Sequence, residues 1–157
     1  MKELEIKSSI MEVQMDELTD AERSLIALAI EGTNRSYAPY SNFHVGAAIQ
    51  LENGATFIGC NQENAAFPAG ICAERAAIFA AGAQYPDQPV IMLAITARNK
   101  KGELIDEPAS PCGTCRQVLI ETETRFNRPV RILLYGRNRV FVMDGIKQLM
   151  PLSFTEF

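Results

Sequence analysis

The hydrophobic and polar positions of the chain change period several times, and each change marks an element. In "LTDAERSLIALAIEG", Ala21, Leu25, Leu28 and Ala29 recur on one face of a helix, and Thr19 with Glu22 has the spacing of a capping box, so a helix is expected to end near Gly32. The runs "HVGAAIQL" and "ATFIGC" flank "ENG", where Asn53-Gly54 favours the positive backbone angles of a tight turn; together they predict a β-hairpin. The polar stretch "NQENAAFPAG" leads into a second helix near Ile71 to Ala83, followed by "VIMLAITA", an apolar run long enough for a buried strand. A loop from Asn99 to Pro111 delivers the chain to a third helix beginning at Cys112. Beyond it, "VRILLYG" and "RVFVM" read as two more strands, before a short last helix and "MPLSFTEF".

Helices alternating with buried strands predict the α/β class, a three-layer α/β/α sandwich around a mixed sheet of about five strands. The 157 residues, 47% hydrophobic and 22% charged, have the size of one domain able to bury a core, so residues 1–157 are expected to form a single unit. Within it the first seventeen residues, "MKELEIKSSIMEVQMDE", alternate only weakly and are read as an N-terminal extension and candidate edge strand. No repeat or low-complexity segment is present.

Charge narrows the class of partner. Fifteen Lys and Arg stand against nineteen Asp and Glu, a net charge of −4 that offers a polyanion little general attraction, so nucleic acid is not an expected partner. The N-terminus lacks the apolar run of a signal peptide, and no stretch approaches the roughly 18 apolar residues that span a bilayer. A soluble, cytoplasmic protein without a membrane partner is expected.

In such a compartment four cysteines stay reduced, and metal binding or catalysis is a better first expectation than a disulfide framework. Cys112 and Cys115, three apart at a helix start in "SPCGTCRQVL", can present two sulfurs to one ion. Cys72 sits at another helix start, in "AGICAERAAIF", where the backbone dipole favours thiolate. Three protein ligands with one open position is the pattern of a catalytic zinc rather than a structural one. Cys60, at a strand end, reads better as a small buried residue, and His44, the only histidine, as structural or exposed.

Glu74 is the residue that would turn a metal site into an enzyme. Two positions after Cys72, it can lie beside the metal without coordinating it and move protons between water and a substrate nitrogen. Arg75, three after Cys72, shares that cysteine's face; three thiolates and Zn²⁺ sum to −1, which a nearby arginine offsets. Arg116 is a second candidate for that task, read here as a surface charge. A thioredoxin-like dithiol would explain Cys112 and Cys115 but leave Cys72 and Glu74 idle.

"CAE" followed far downstream by "PCGTC" matches the signature of zinc nucleobase deaminases. With "SYAPYSNFHVGAA", "GCNQENAAFPAGICAERAAIF" and "LMPLSF" in order, most of the chain resembles a cytidine deaminase of the small homotetrameric, three-cysteine type. The resemblance implies that Cys72, Cys112 and Cys115 hold one Zn²⁺ per chain and that Glu74 is the proton shuttle. It implies hydrolysis of cytidine and 2′-deoxycytidine to uridine and 2′-deoxyuridine with release of ammonia, in pyrimidine salvage. Asn61 and Glu63 match residues that bind ribose hydroxyls, and Phe43 the aromatic packed beside the nucleoside. Phe154 matches a C-terminal aromatic that reaches a neighbouring subunit's pocket, so a homotetramer with shared active sites is also implied. Phe67 stands where relatives often have tyrosine. A deaminase for another aminopyrimidine nucleoside, such as blasticidin S, would use a similar cysteine set.

Overall fold

The computed structural model describes residues 1–155. The chain runs through β1 (Met11–Val13), α1 (Asp20–Thr33), β2 (His44–Leu51), β3 (Thr56–Cys60), α2 (Ala73–Gln84), β4 (Val90–Arg98), α3 (Gly113–Phe126), β5 (Arg131–Tyr135) and β6 (Val140–Asp144). The strands form one mixed sheet in the order β1-β6-β5-β4-β2-β3. Only β4 and β5 are parallel, and α3 supplies the crossover that a parallel pair requires. The sheet has six strands where about five are expected, because Met11–Val13 of the extension pairs antiparallel with β6 and covers its edge.

Both faces of the central strands are buried, and the period of two sorts their side chains. Ala47, Ile49, Leu93, Ile95, Ile132 and Leu134 face α2 and α3, whereas Ala48, Ala94 and Leu133 face α1. The three layers follow from that division. The hairpin turn forms as the sequence predicts, with Gly54 at φ +86°.

α1 differs from expectation in the face that it buries. Thr19 caps it and forms the capping box with Glu22, but Ala21 is exposed, Leu28 only half-buried, and Ile26 takes their place beside Leu25 and Ala29. The apolar arc is turned because Glu22 itself lies inside, accepting from Thr19 N at 2.9 Å and from Arg131 Nε at 3.0 Å. A carboxylate so satisfied can be buried next to an apolar stripe.

Two glycines set how closely helices approach the sheet. A Cβ on Gly46 would stand 2.0 Å from Ala29 O on the α1 side, and one on Gly59 would stand 2.1 Å from Ala73 O on the α2 side. The second contact draws the first turn of α2 against β3, where the cysteine of "CAE" lies.

Candidate active site

The N-terminal ends of α2 and α3 meet beside the sheet. Cys72 is the N-cap residue of α2 and Cys112 that of α3, both with extended backbone, and Cys115 lies buried in the first turn of α3. The sulfurs of Cys72 and Cys112 are 3.8 Å apart and those of Cys112 and Cys115 3.5 Å, and all three lie within 4.8 Å of one another. Neither cap cysteine spends its side chain on the helix, and the unpaired N–H groups and dipoles of two helix ends favour negative charge between them.

Electrostatics follow from the crowding. The Cys72 thiol is held down to about 5, chiefly by its contact with Cys115 and also by Arg75, against the effect of burial. Cys115 is pushed up by that same contact and by burial. Thiols crowded in this way oppose each other's ionisation, and a shared cation would relieve that opposition. Arg75 donates from Nη2 to Cys72 Sγ at 3.9 Å, and its buried Nε has no hydrogen-bond partner among the described residues.

The donor set fits zinc. Sulfurs bound tetrahedrally at roughly 2.3 Å are about 3.8 Å from one another, close to the 3.8 and 3.5 Å that separate Cys112 from Cys72 and from Cys115, and three soft donors leave a fourth position open. Cys60 is not part of the group: its thiol donates to Arg35 O at 3.3 Å. His44 is likewise elsewhere, with Nδ1 2.6 Å from Ser36 Oγ. Arg116 turns away from the sulfurs and donates to Pro111 O and Leu149 O at 2.8 and 2.6 Å.

Glu74 is 4% exposed, the most enclosed carboxylate of the described residues. Burial, and after it the charge of Cys72, raise its carboxyl above the ordinary carboxylate range, which favours its protonated form.

An open pocket of about 510 Å³ adjoins Cys72 and Arg75, and Asn61, Glu63 and Phe67 help to line it. Asn61 is clamped between strands, accepting from Val45 N at 2.8 Å and donating to Phe43 O at 2.9 Å. Glu63 accepts from Tyr40 N at 2.8 Å, from Ser41 N at 3.2 Å and from the Ser41 hydroxyl, which first among these lowers its carboxyl. Three of its four lone-pair directions are thus engaged and one is left for a ligand. Phe67 packs edge-on against Tyr40 with ring centroids 6.3 Å apart. Phe43 is not among the lining residues, and Phe154 lies on the C-terminal tail, where its carbonyl accepts from Gln117 Nε2 at 2.9 Å. Tyr40 and Ser41, which shape the pocket wall and hold Glu63, were not singled out by sequence; the turn "APYSNF" was the available signal.

Residues 19–127 match the family profile described as the cytidine and deoxycytidylate deaminase zinc-binding region. The chain belongs to this family. The cytidine deaminase of Halalkalibacterium halodurans is 40% identical over 97 residues, covering 62% of this chain and 68% of the relative, and that of Mycobacterium tuberculosis is 35% identical over 106 residues, covering 66% and 74%. The crystal structure of cytidine deaminase from Burkholderia pseudomallei superposes with a TM-score of 0.73 at 35% identity, covering 87% of this chain and all of that one. The α/β sandwich and the three-thiol zinc site are therefore those of a deaminase family of hydrolases. No helix of the described residues is long and apolar enough to cross a membrane.

Proposed function

We propose that the protein is a cytidine deaminase that converts cytidine and 2′-deoxycytidine to the uracil nucleosides, consuming one water and releasing one ammonia. The observation that carries this reading is the enclosed carboxyl of Glu74 beside Cys72 and Cys115, in a group of three converging thiols of which Cys72 opens onto the pocket. Cys72, Cys112 and Cys115 would hold zinc, which when bound acts as a Lewis acid and lowers the pKa of water to about 7.

The chain's own residues do the rest. Glu74 takes a proton from the attacking water and delivers it to N3 of the pyrimidine; the C4–N4 bond then breaks, with Glu74 carrying the proton that leaves on ammonia. Arg75 offsets the excess negative charge of three thiolates and steadies Cys72. Asn61 and Glu63 grip the sugar hydroxyls, and their fixed hydrogen bonds mean that little order is lost when they do so. Phe43 and Phe154 supply aromatic walls for the base, Phe154 to the pocket of a neighbouring copy in a homotetramer. Phe67 presents no hydroxyl to the sugar's 5′ side. Such an enzyme would serve pyrimidine salvage in the cytoplasm.

The test follows the ultraviolet change on mixing the protein with cytidine, 2′-deoxycytidine and cytosine. Both nucleosides should react and the free base barely, because Asn61 and Glu63 need a sugar to grip. Equal rates on cytosine would remove their assignment, and no reaction on any of the three would remove the function.

A further inference from the structure

The N-terminal extension lies before the first residue of the family match. It does more than cover a strand edge. β1 binds β6, Glu12 pairs with Arg139 at 2.9 Å, and the residues before β1 run alongside the segment that leaves β6 for the C-terminus. There Ser9 N donates to Gln148 Oε1 at 2.7 Å, and Ile6 and Lys7 wall a hollow of about 340 Å³ whose other side includes Met150, Pro151 and Leu152.

The opposite side of the same tail is held by the helix that carries two of the thiols. Arg116 and Gln117, next to Cys115, donate to Leu149 O and Phe154 O at 2.6 and 2.9 Å. The tail is thus tethered from within by α3 and from without by the extension, and Phe154 is at its end.

We propose that residues 6–13 are a positioning device for the C-terminal tail, holding residues 147–155 in the conformation that presents Phe154. The inference rests on the reading of Phe154 given under the proposed function. A tail that occupies its presenting conformation for only part of the time weakens apparent affinity by that fraction and leaves the chemical step untouched. The extension therefore acts on nucleoside KM and not on kcat.

The test uses the full chain. Gln148→Met keeps the side chain's length but loses the oxygen that Ser9 N donates to, Gln148→Glu keeps that oxygen, and Ile6→Ser removes the apolar wall. Gln148→Met combined with Ile6→Ser should raise KM for cytidine roughly three- to tenfold, the weight of one or two lost contacts, with kcat within about twofold and zinc content unchanged. Gln148→Glu should stay near the parent. In a Phe154→Ala background the same pair should raise KM no further, because the group being positioned is gone. An unchanged KM in the paired variant, an additive rise in the Phe154→Ala background, or a fall in kcat and zinc together would each overturn the proposal. If Phe154→Ala alone leaves KM unchanged, the reading of Phe154 fails first and the positioning role falls with it.

Discussion

Gly59 of β3 lies directly under the carbonyl of Ala73, the residue that follows the first thiol: a Cβ at position 59 would be 2.1 Å from Ala73 O and 2.6 Å from Ala77 N. Both atoms are backbone, so no side chain can swing aside. Gly59→Ala should push the start of α2 off the sheet, at a cost at or above the upper end of the roughly 1–3 kcal/mol typical of overpacking. Because Cys72 moves with that turn, zinc content should fall along with the urea midpoint. A variant of parent stability with full zinc would show that α2 does not depend on this approach.

How much of this was readable beforehand depended on whether a feature is local. Thr19 and Glu22 cap α1 by a rule that spans three residues, and the N-cap positions of Cys72 and Cys112 follow from where apolar periodicity begins, so the metal-binding end of two helices was legible. The face of α1 was not, because Glu22 is drawn inward by Arg131, a partner 109 positions away. β1 was visible only as a weak alternation, since three residues carry almost no period and their pairing is fixed by β6. Arg116 reads in sequence as a surface charge, but it is half-buried, because the course of the C-terminal segment brings Leu149 O within its reach.

Metal dependence should be complete and reversible. Cys72 and Cys112 meet across 40 residues of chain, so removing either sulfur breaks the bond between two helix ends rather than trimming one. Prolonged chelation should abolish turnover and added zinc restore it, while Cys72→Ser should lower zinc below about one per chain even at saturating metal. Elemental analysis of purified protein provides the measure, and a metal-free protein with parent turnover would contradict the site.

Glu74→Gln separates the metal from the proton. The substitution preserves shape in a position that is 4% exposed and outside the thiol group, so zinc and fold should be retained. An amide cannot accept and return the proton, and kcat should drop by roughly 10²–10⁴-fold, the contribution of a positioned acid–base group. Steady-state rates beside zinc content decide the matter: a variant with full zinc and near-parent kcat would end the shuttle role of Glu74.

Acid sensitivity should be set partly far from the thiols, at Glu22. Burial there acts to raise its carboxyl, but the hydrogen bonds from Thr19, and then the bond and charge of Arg131, outweigh it and hold it below its ordinary value of 4.5. A carboxylate with a depressed folded-state pKa stabilises the fold at pH values above its unfolded pKa, and that contribution disappears as pH falls through the folded value. Glu22→Gln keeps one acceptor for the cap but gives up the charge facing Arg131, so at pH 7 it should cost roughly 1–2 kcal/mol. The gap between parent and variant should be full above pH of about 5 and close as the pH drops below about 4, because protonation then does to the parent what the substitution does to the variant. Urea midpoints taken across that range measure it, and a gap that stays constant with pH would mean that Glu22 acts through packing rather than through its charge.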